Sequence, residues 1–108
     1  NDVSELTDVT VGGNTRLFLG SGRDRLSVLT AAIRGDVTLR AGPDNDDIAV
    51  DALTADDVFP QLGSGDDLLD ISGSTADQVR IFGGPGADRF SGTGNNFNDL
   101  ETHSISRI

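Results

Sequence analysis

The segment Gly83-Gly84-Pro85-Gly86-Ala87-Asp88-Arg89-Phe90-Ser91 joins a glycine-rich turn to an aspartate and an alternating strand. Related turns recur along the chain at Gly20-Ser21-Gly22-Arg23-Asp24, Gly42-Pro43-Asp44-Asn45-Asp46, Gly63-Ser64-Gly65-Asp66-Asp67 and Gly84-Pro85-Gly86-Ala87-Asp88. Their first glycines are 22, 21 and 21 residues apart. A fixed period of about 20 to 50 residues is typical of proteins built from stacked repeats.

Apolar residues alternate with polar ones on both sides of each turn, and this period of two predicts β-strands. After the turns come Leu26 and Val28, Ile48 and Val50, Leu69 and Ile71, and Phe90 and Gly92. Before the turns come Leu17 and Leu19, then Val37, Leu39 and Ala41, then Val58, Pro60 and Leu62, and then Val79, Ile81 and Gly83. Polar corners at 32–36, 54–57 and 75–78 separate the two strands. Each coil is therefore predicted to run strand, Gly-Asp turn, strand, polar turn.

This pattern predicts an all-β, right-handed parallel β-solenoid of about four coils, with 21–22 residues per coil. Residues 1–108 form one predicted domain, in which 15–94 are the repeats and 1–14 and 95–108 are partial coils or caps. The alternative is an antiparallel sandwich of short strands, which also shows frequent turn signals. The constant coil length favours the solenoid because a sandwich does not need it.

The charge and composition narrow the possible functions. Eight basic residues stand against 18 acidic ones, for a net charge of -10, so phosphate backbones are repelled and nucleic acid is excluded as a partner. No apolar run approaches the ~20 residues that span a bilayer, and we expect no membrane insertion. The chain has no Cys, which excludes thiol chemistry. It also lacks Met, which we interpret as a processed product or a fragment. We predict no enzymatic activity.

The turn segments resemble the calcium-binding nonapeptide of RTX (hemolysin-type) proteins, G-G-x-G-x-D-x-U-x. The segment 83–91 matches this pattern with Phe90 at the large aliphatic position, whereas the other copies carry Leu19, Ala41 and Leu62 at the first glycine. The resemblance implies a bacterial, exported protein in which calcium lies between successive turns along one edge. It implies that Asp24, Asp46, Asp67 and Asp88 are bridging ligands and that Asp66, Asp44 and Asn45 assist.

Stacking itself favours a cation at this edge, because it places the motif aspartates about one coil apart in a column. Clustered carboxylates are ligands that calcium prefers. The alternative is that each aspartate only caps its own turn by accepting backbone N–H bonds.

The outward residues of the strand before the turn form an unusual surface, the Phe-Arg face. Aromatic and guanidinium side chains interleave on it: Phe18, Phe59, Phe82, Arg16, Arg40 and Arg80. Such a face is a candidate for self-association through stacking and cation–π contacts. An ordinary exposed surface is the alternative.

The sequence therefore predicts a secreted, non-enzymatic structural β-solenoid at the cell surface or in the extracellular matrix, with calcium as its cofactor. The alternative is a self-assembling filament, surface-layer or adhesin subunit that stacks end to end, in which calcium is incidental. The possible partner is then a second copy, held through the coil ends or the Phe-Arg face.

Overall fold

The computed structural model describes residues 3–107 and contains eleven β-strands joined by turns. The outermost positions of the two predicted terminal segments, 1, 2 and 108, lie outside these residues. The strands are β1 (Val3–Val11), β2 (Thr15–Phe18), β3 (Arg25–Ile33), β4 (Val37–Arg40), β5 (Asp47–Thr54), β6 (Asp57–Gln61), β7 (Leu68–Ser72), β8 (Thr75–Phe82), β9 (Arg89–Thr93), β10 (Asn96–His103) and β11 (Ser106–Arg107).

Every strand pairing described is parallel, which confirms the solenoid and excludes the antiparallel sandwich. The strands form two stacks. One stack has the order β1, β3, β5, β7, β9 and β11 and contains the strands that follow the four Gly-Asp turns. The other has the order β2, β4, β6, β8 and β10 and contains the strands that precede those turns. Leu26 pairs with Ile48, Ile48 with Leu69 and Leu69 with Phe90, so the register follows the 21–22 residue repeat.

The terminal segments extend the stack, so the solenoid has about five turns where the four clear repeats predicted about four. At the N-terminal end β1 pairs with β3 in register from Val3 to Val11, and at the other end β10 pairs with β8. Both terminal segments thus contribute strands to the same solenoid. No separate cap replaces them within residues 3–107.

Each coil has one more bend than the two predicted corners. Residues at equivalent positions take left-handed backbone angles, with φ values between 53° and 67°: Asp8, Thr30, Ala52, Gly73 and Gly94. The β1–β3 and β3–β5 ladders step over this position. In β3 the neighbouring Leu29 and Thr30 are both exposed, after which Ala31 and Ile33 point inward again. The left-handed residue thus bends the strand after each Gly-Asp turn into two short segments that lie on different sides of the coil.

The inward residues of all faces form one narrow core along the stack. Its most deeply buried members include Ile48, Leu62, Leu69, Ile71, Val79 and Ile81. Pro60 is also buried, and the β6–β8 register steps over Phe59 and Pro60, since proline has no N–H to donate to the ladder. Within residues 3–107 there is no helix long and apolar enough to cross a membrane.

Candidate cation site and the Phe-Arg face

The Gly-Asp turns stack directly on one another because glycine leaves room for the backbone of the preceding coil. Gly63 has φ +83°, and a Cβ atom there would overlap the carbonyl oxygen of Gly42. Asp44 occupies the second left-handed position of its turn with φ 76°, a region that Asp tolerates better than most residues. The close spacing of the turns therefore requires glycine at the leading positions 42, 63 and 84.

The four motif aspartates lie in one buried column, each at most 3% exposed: Asp24, Asp46, Asp67 and Asp88. Asp46 Oδ1 accepts the backbone N–H of Asp24 at 2.9 Å, and Asp67 Oδ1 accepts that of Asp46 at 2.8 Å. Asp88 Oδ1 accepts the N–H of Asp67 at 3.0 Å. For Asp46, Asp67 and Asp88 these bonds run from one coil to the next, whereas a cap of the residue's own turn would stay within one coil.

In three of these carboxyl groups the second oxygen, Oδ2, accepts no hydrogen bond from an N–H or hydroxyl group. Oδ2 of Asp46, Asp67 and Asp88 is buried without one. Burial is the largest cause of the raised pKa of Asp67, which reaches about 7 although the N–H bond from Asp46 lowers it. The charges of Asp88 and Asp46 and a hydrogen bond shared with the Asp88 carboxyl group raise this pKa further. Burial also raises the pKa values of Asp46 and Asp88, although backbone N–H bonds oppose this. The column therefore disfavours its own negative charge and favours a bound proton or cation.

The predicted helper residues lie at the same edge and form an outer ladder. Asp44 Oδ2 accepts the N–H of Gly22 at 3.0 Å, and Asn45 Oδ1 accepts that of Asp66 at 2.7 Å. Asp66 Oδ1 in turn accepts the N–H of Ala87 at 2.8 Å. All three side chains are exposed. The structure thus brings together every residue predicted for the calcium edge, and it uses the helpers to join neighbouring turns.

The donor set at this edge has the chemistry of a hard-cation site. Carboxylate and carbonyl oxygens are the ligands that calcium takes. Among residues 3–107, no group of three or more His, Cys, Asp or Glu side chains is gathered around one point that could hold a metal. The oxygens available to a cation at this edge are those of the column carboxylates and the turn carbonyls.

The aspartate column ends at the C-terminal coil. Ser106 pairs with Arg89, so Ile105 takes the position that follows Asp88 in the column. This last coil advances only 17 residues, because Ser106 and Arg89 are that far apart in sequence. Ile105 packs against the core instead of presenting a carboxylate. The shorter segment lacks a Gly-Asp turn, and the repeat pattern gave no register for it.

The Phe-Arg face is present on the outer side of β2, β4, β6, β8 and β10. The register aligns two columns on it: Phe18, Arg40, Gln61, Phe82 and His103, and Arg16, Thr38, Phe59, Arg80 and Glu101. Phe18 is 63% exposed and Phe82 39%. All six residues predicted for this face therefore share one surface.

Contacts between neighbouring coils order the side chains of this face. The Arg40 guanidinium lies 5.8 Å from the centre of the Phe18 ring. The rings of Phe82 and His103 stack with centroids 4.9 Å apart. Glu101 lies 3.5 Å from Arg80. Sequence reasoning missed His103 and Glu101, because both lie beyond the last clear repeat.

A buried polar ladder at another corner was also missed. Ser74 is 2% exposed, and its Oγ accepts the N–H of Leu53 at 3.1 Å. The side chain of Asn95 accepts the N–H of Ser74 and donates to the carbonyl of Ile71. The signal available in the sequence was the aligned pair Gly73-Ser74 and Gly94-Asn95. These groups join the last coils and have a structural role.

Comparison with known proteins finds no protein-family model, curated protein or solved structure that matches this chain.

Proposed function

We propose that this chain is a non-enzymatic structural β-solenoid that works outside the cell and takes calcium between the turns of its Gly-Asp edge. The observation that carries the proposal is the set of buried Oδ2 atoms without a hydrogen-bond partner, on Asp46, Asp67 and Asp88. Each lies one coil from the next, and each belongs to a carboxyl group whose pKa burial raises.

The electrostatics of the column explain why a divalent cation belongs there. Two carboxylates about 4.8 Å apart repel each other by about 3.5 kcal/mol at an effective dielectric of 20. A cation shared by neighbouring coils offsets this repulsion without removing the Oδ1 bonds that join the coils. The ligands would be Asp24, Asp46, Asp67 and Asp88 together with turn carbonyls, and calcium would supply charge neutralisation and crosslinking of the coils.

The proposed location outside the cell follows from the calcium affinity that such a site would have. Sites formed by a few carboxylates and backbone carbonyls on extracellular modules bind calcium in the range of about 10⁻⁴ to 10⁻³ M. Such a site stays empty at the low calcium concentration inside a cell and fills after export. Because metal binding to the folded state adds directly to stability, calcium would complete folding at the destination.

The test is a calcium titration of the wild-type chain from excess EGTA into millimolar calcium, followed by circular dichroism and urea unfolding. We expect calcium to raise the unfolding midpoint, and magnesium to do so much less because it demands octahedral geometry and keeps its water. Asp67→Asn should lose most of the gain, whereas the exposed control Asp51→Asn should keep it. Equal midpoints in EGTA and in calcium would exclude the proposal.

End-to-end assembly is a second candidate function, and the unpaired outer edges of the first two strands favour it. In the described part of the chain, β1 pairs only with β3 and β2 only with β4, so the outer edges of β1 and β2 are free. Leu6, Val9 and Leu17 of this first coil are only partly buried. Free edges and partly covered core residues are features that invite pairing with another copy.

Light scattering separates the two candidates. A filament subunit gives large, ordered particles at modest concentration whether EGTA or calcium is present. A calcium-ordered module keeps a small mass and changes its stability with calcium. Large particles that are insensitive to chelator would make calcium incidental.

A further inference from the structure

We propose that the Phe-Arg face is the interface of a two-fold symmetric dimer in which each copy of this chain docks against a second copy in reverse coil order. The proposal rests on the order of side chains along the two columns of that face, and it is independent of any metal. It commits the face to one partner and to one relative orientation.

Charge on this face is distributed differently from the rest of the chain. The chain carries a net charge of -10, yet on β2, β4, β6 and β8 the two columns hold Arg16, Arg40 and Arg80 and no acidic residue. The adjacent column at the margin of the face contains Asp57 and Asp99. The acidic residue Glu101 appears only in the fifth coil. A polyanion would be repelled by the remainder of the molecule, whereas a second copy offers an acidic group at a fixed position.

Symmetry determines which side chains meet. When two copies pack face to face about a two-fold axis parallel to the strands, each column opposes itself with its coil order reversed. On this face β2, β4, β6, β8 and β10 belong to the first, second, third, fourth and fifth coils. The first coil of one copy then faces the fifth coil of the other, the second faces the fourth, and the third faces the third.

The reversed columns place several complementary pairs opposite each other, and Thr38 faces Arg80. Arg16 of one copy faces Glu101 of the other, and Arg40 faces Phe82. Phe18 faces His103, whose ring already stacks on Phe82 within its own chain. Unlike charges, a guanidinium with an aromatic ring, and paired rings are all favourable contacts across an interface.

The centre of the face supports the same arrangement. Phe59 and Gln61 lie in the third coil, so each would meet its own copy near the axis. An apolar ring packs against an identical ring, and two Gln amides can hydrogen-bond to each other because each has a donor and an acceptor. Asp57, which would also approach its own copy, lies at the start of β6 at the margin of the face.

The size of the face limits the strength of the dimer. Five strands spaced by about 4.8 Å and about 4 to 5 residues long cover roughly 350 Å². Stable interfaces bury about 800 Å² per partner, so we expect a dissociation constant on the order of 100 µM. The dimer should form at high local concentration, as on a surface or in a matrix.

The experiment is sedimentation of the full chain up to about 1 mM, in EGTA and in calcium, with a charge-reversal cycle. We expect wild-type dimers under both conditions. Glu101→Arg and Arg16→Glu should each weaken dimerisation at least tenfold, since each places two like-charged pairs across the axis. The double variant, Glu101→Arg with Arg16→Glu, should recover dimerisation to within about threefold of wild type. Glu5→Arg and Arg89→Glu, exposed and on another face, are the matched controls and should not change it.

Other outcomes overturn the proposal. A monomer at every concentration excludes the interface, and mass that grows beyond a dimer excludes its closed symmetry. In a dimer whose two-fold axis runs along the stack, Arg16 of one copy would oppose Phe18 of the other instead of Glu101. The double variant would then not recover dimerisation, and this result would exclude the reversed coil order. Circular dichroism of each variant separates loss of the interface from loss of the fold.

Discussion

Asp67→Asn should stabilise the metal-free protein at neutral pH, although it replaces an ionisable residue of the repeated Gly-Asp turn. The pKa of Asp67 rises from 3.8 to about 7 in the folded chain, mainly because the carboxyl group is buried. At a pH between these two pKa values, Asp67 keeps its proton in the folded chain but has lost it in the unfolded chain. The contribution of Asp67 to the free energy of unfolding is therefore fully present below the unfolded pKa of 3.8 and is lost as the pH rises through the folded pKa of about 7.

The full pKa difference corresponds to about 4 kcal/mol. Asp46 and Asp88 titrate in the same column, and a proton on either lowers the penalty for ionising Asp67. We therefore expect the metal-free wild type to lose about 2 to 4 kcal/mol at this site between pH 4 and pH 8. Asparagine keeps the Oδ1 acceptor for the N–H of Asp46 but carries no ionisable group, so the variant should not show this loss.

The assay is urea unfolding in EGTA at several pH values from 4 to 8. The difference in unfolding free energy between Asp67→Asn and wild type should grow in favour of the variant as the pH rises. Asp51→Asn makes the same charge change at an exposed position and should track wild type. In millimolar calcium the order should reverse, because the variant has lost a ligand. Parallel pH profiles for all three proteins in EGTA would refute the reasoning about the buried column.

Two further predictions concern the stacking of the coils. Gly63→Ala should destabilise the chain by about 3 kcal/mol or more, because the new Cβ overlaps the Gly42 carbonyl and φ is +83°; Gly12→Ala, with no heavy atom near its Cβ, should be tolerated. Equal urea midpoints for these two variants would contradict the close approach of the turns. Ser74→Ala should cost about 1 to 3 kcal/mol, because it leaves the buried N–H of Leu53 without its acceptor. Thermal unfolding measures this loss, and an unchanged midpoint would show that the bond contributes nothing.

The repeat was predictable because the physics of stacking acts on every coil alike. The leading glycines at 42, 63 and 84 each leave room for the carbonyl group of the turn before, and Gly20 shares their positive φ, so the spacing of the four glycines gives the coil length directly. The alternating apolar residues after each turn gave the inward side of the strands, and Ile48, Leu69 and Phe90 are buried as expected. The terminal strands β1 and β10 continue the stack in register although they lie outside the four clear repeats, so the solenoid has about five turns.

The additional bend was not predictable because its backbone conformation is shared by residues of different types. Gly73 and Gly94 suggest a left-handed position, but Thr30 and Ala52 take the same conformation and rarely adopt it in isolation. The coils on either side impose the bend on these residues. A single sequence contains no local signal for such an imposed angle.

For the candidate site, the sequence by itself determined which aspartates lie at the edge, because one residue per repeat must form one column. Only the tertiary structure decided what their oxygens contact. Asp46, Asp67 and Asp88 each use Oδ1 to accept an N–H from the preceding coil and leave Oδ2 buried without a partner. The physical reason is that repeat spacing fixes the position of a side chain along the stack, whereas its hydrogen bonds, burial and pKa depend on atoms contributed by neighbouring coils.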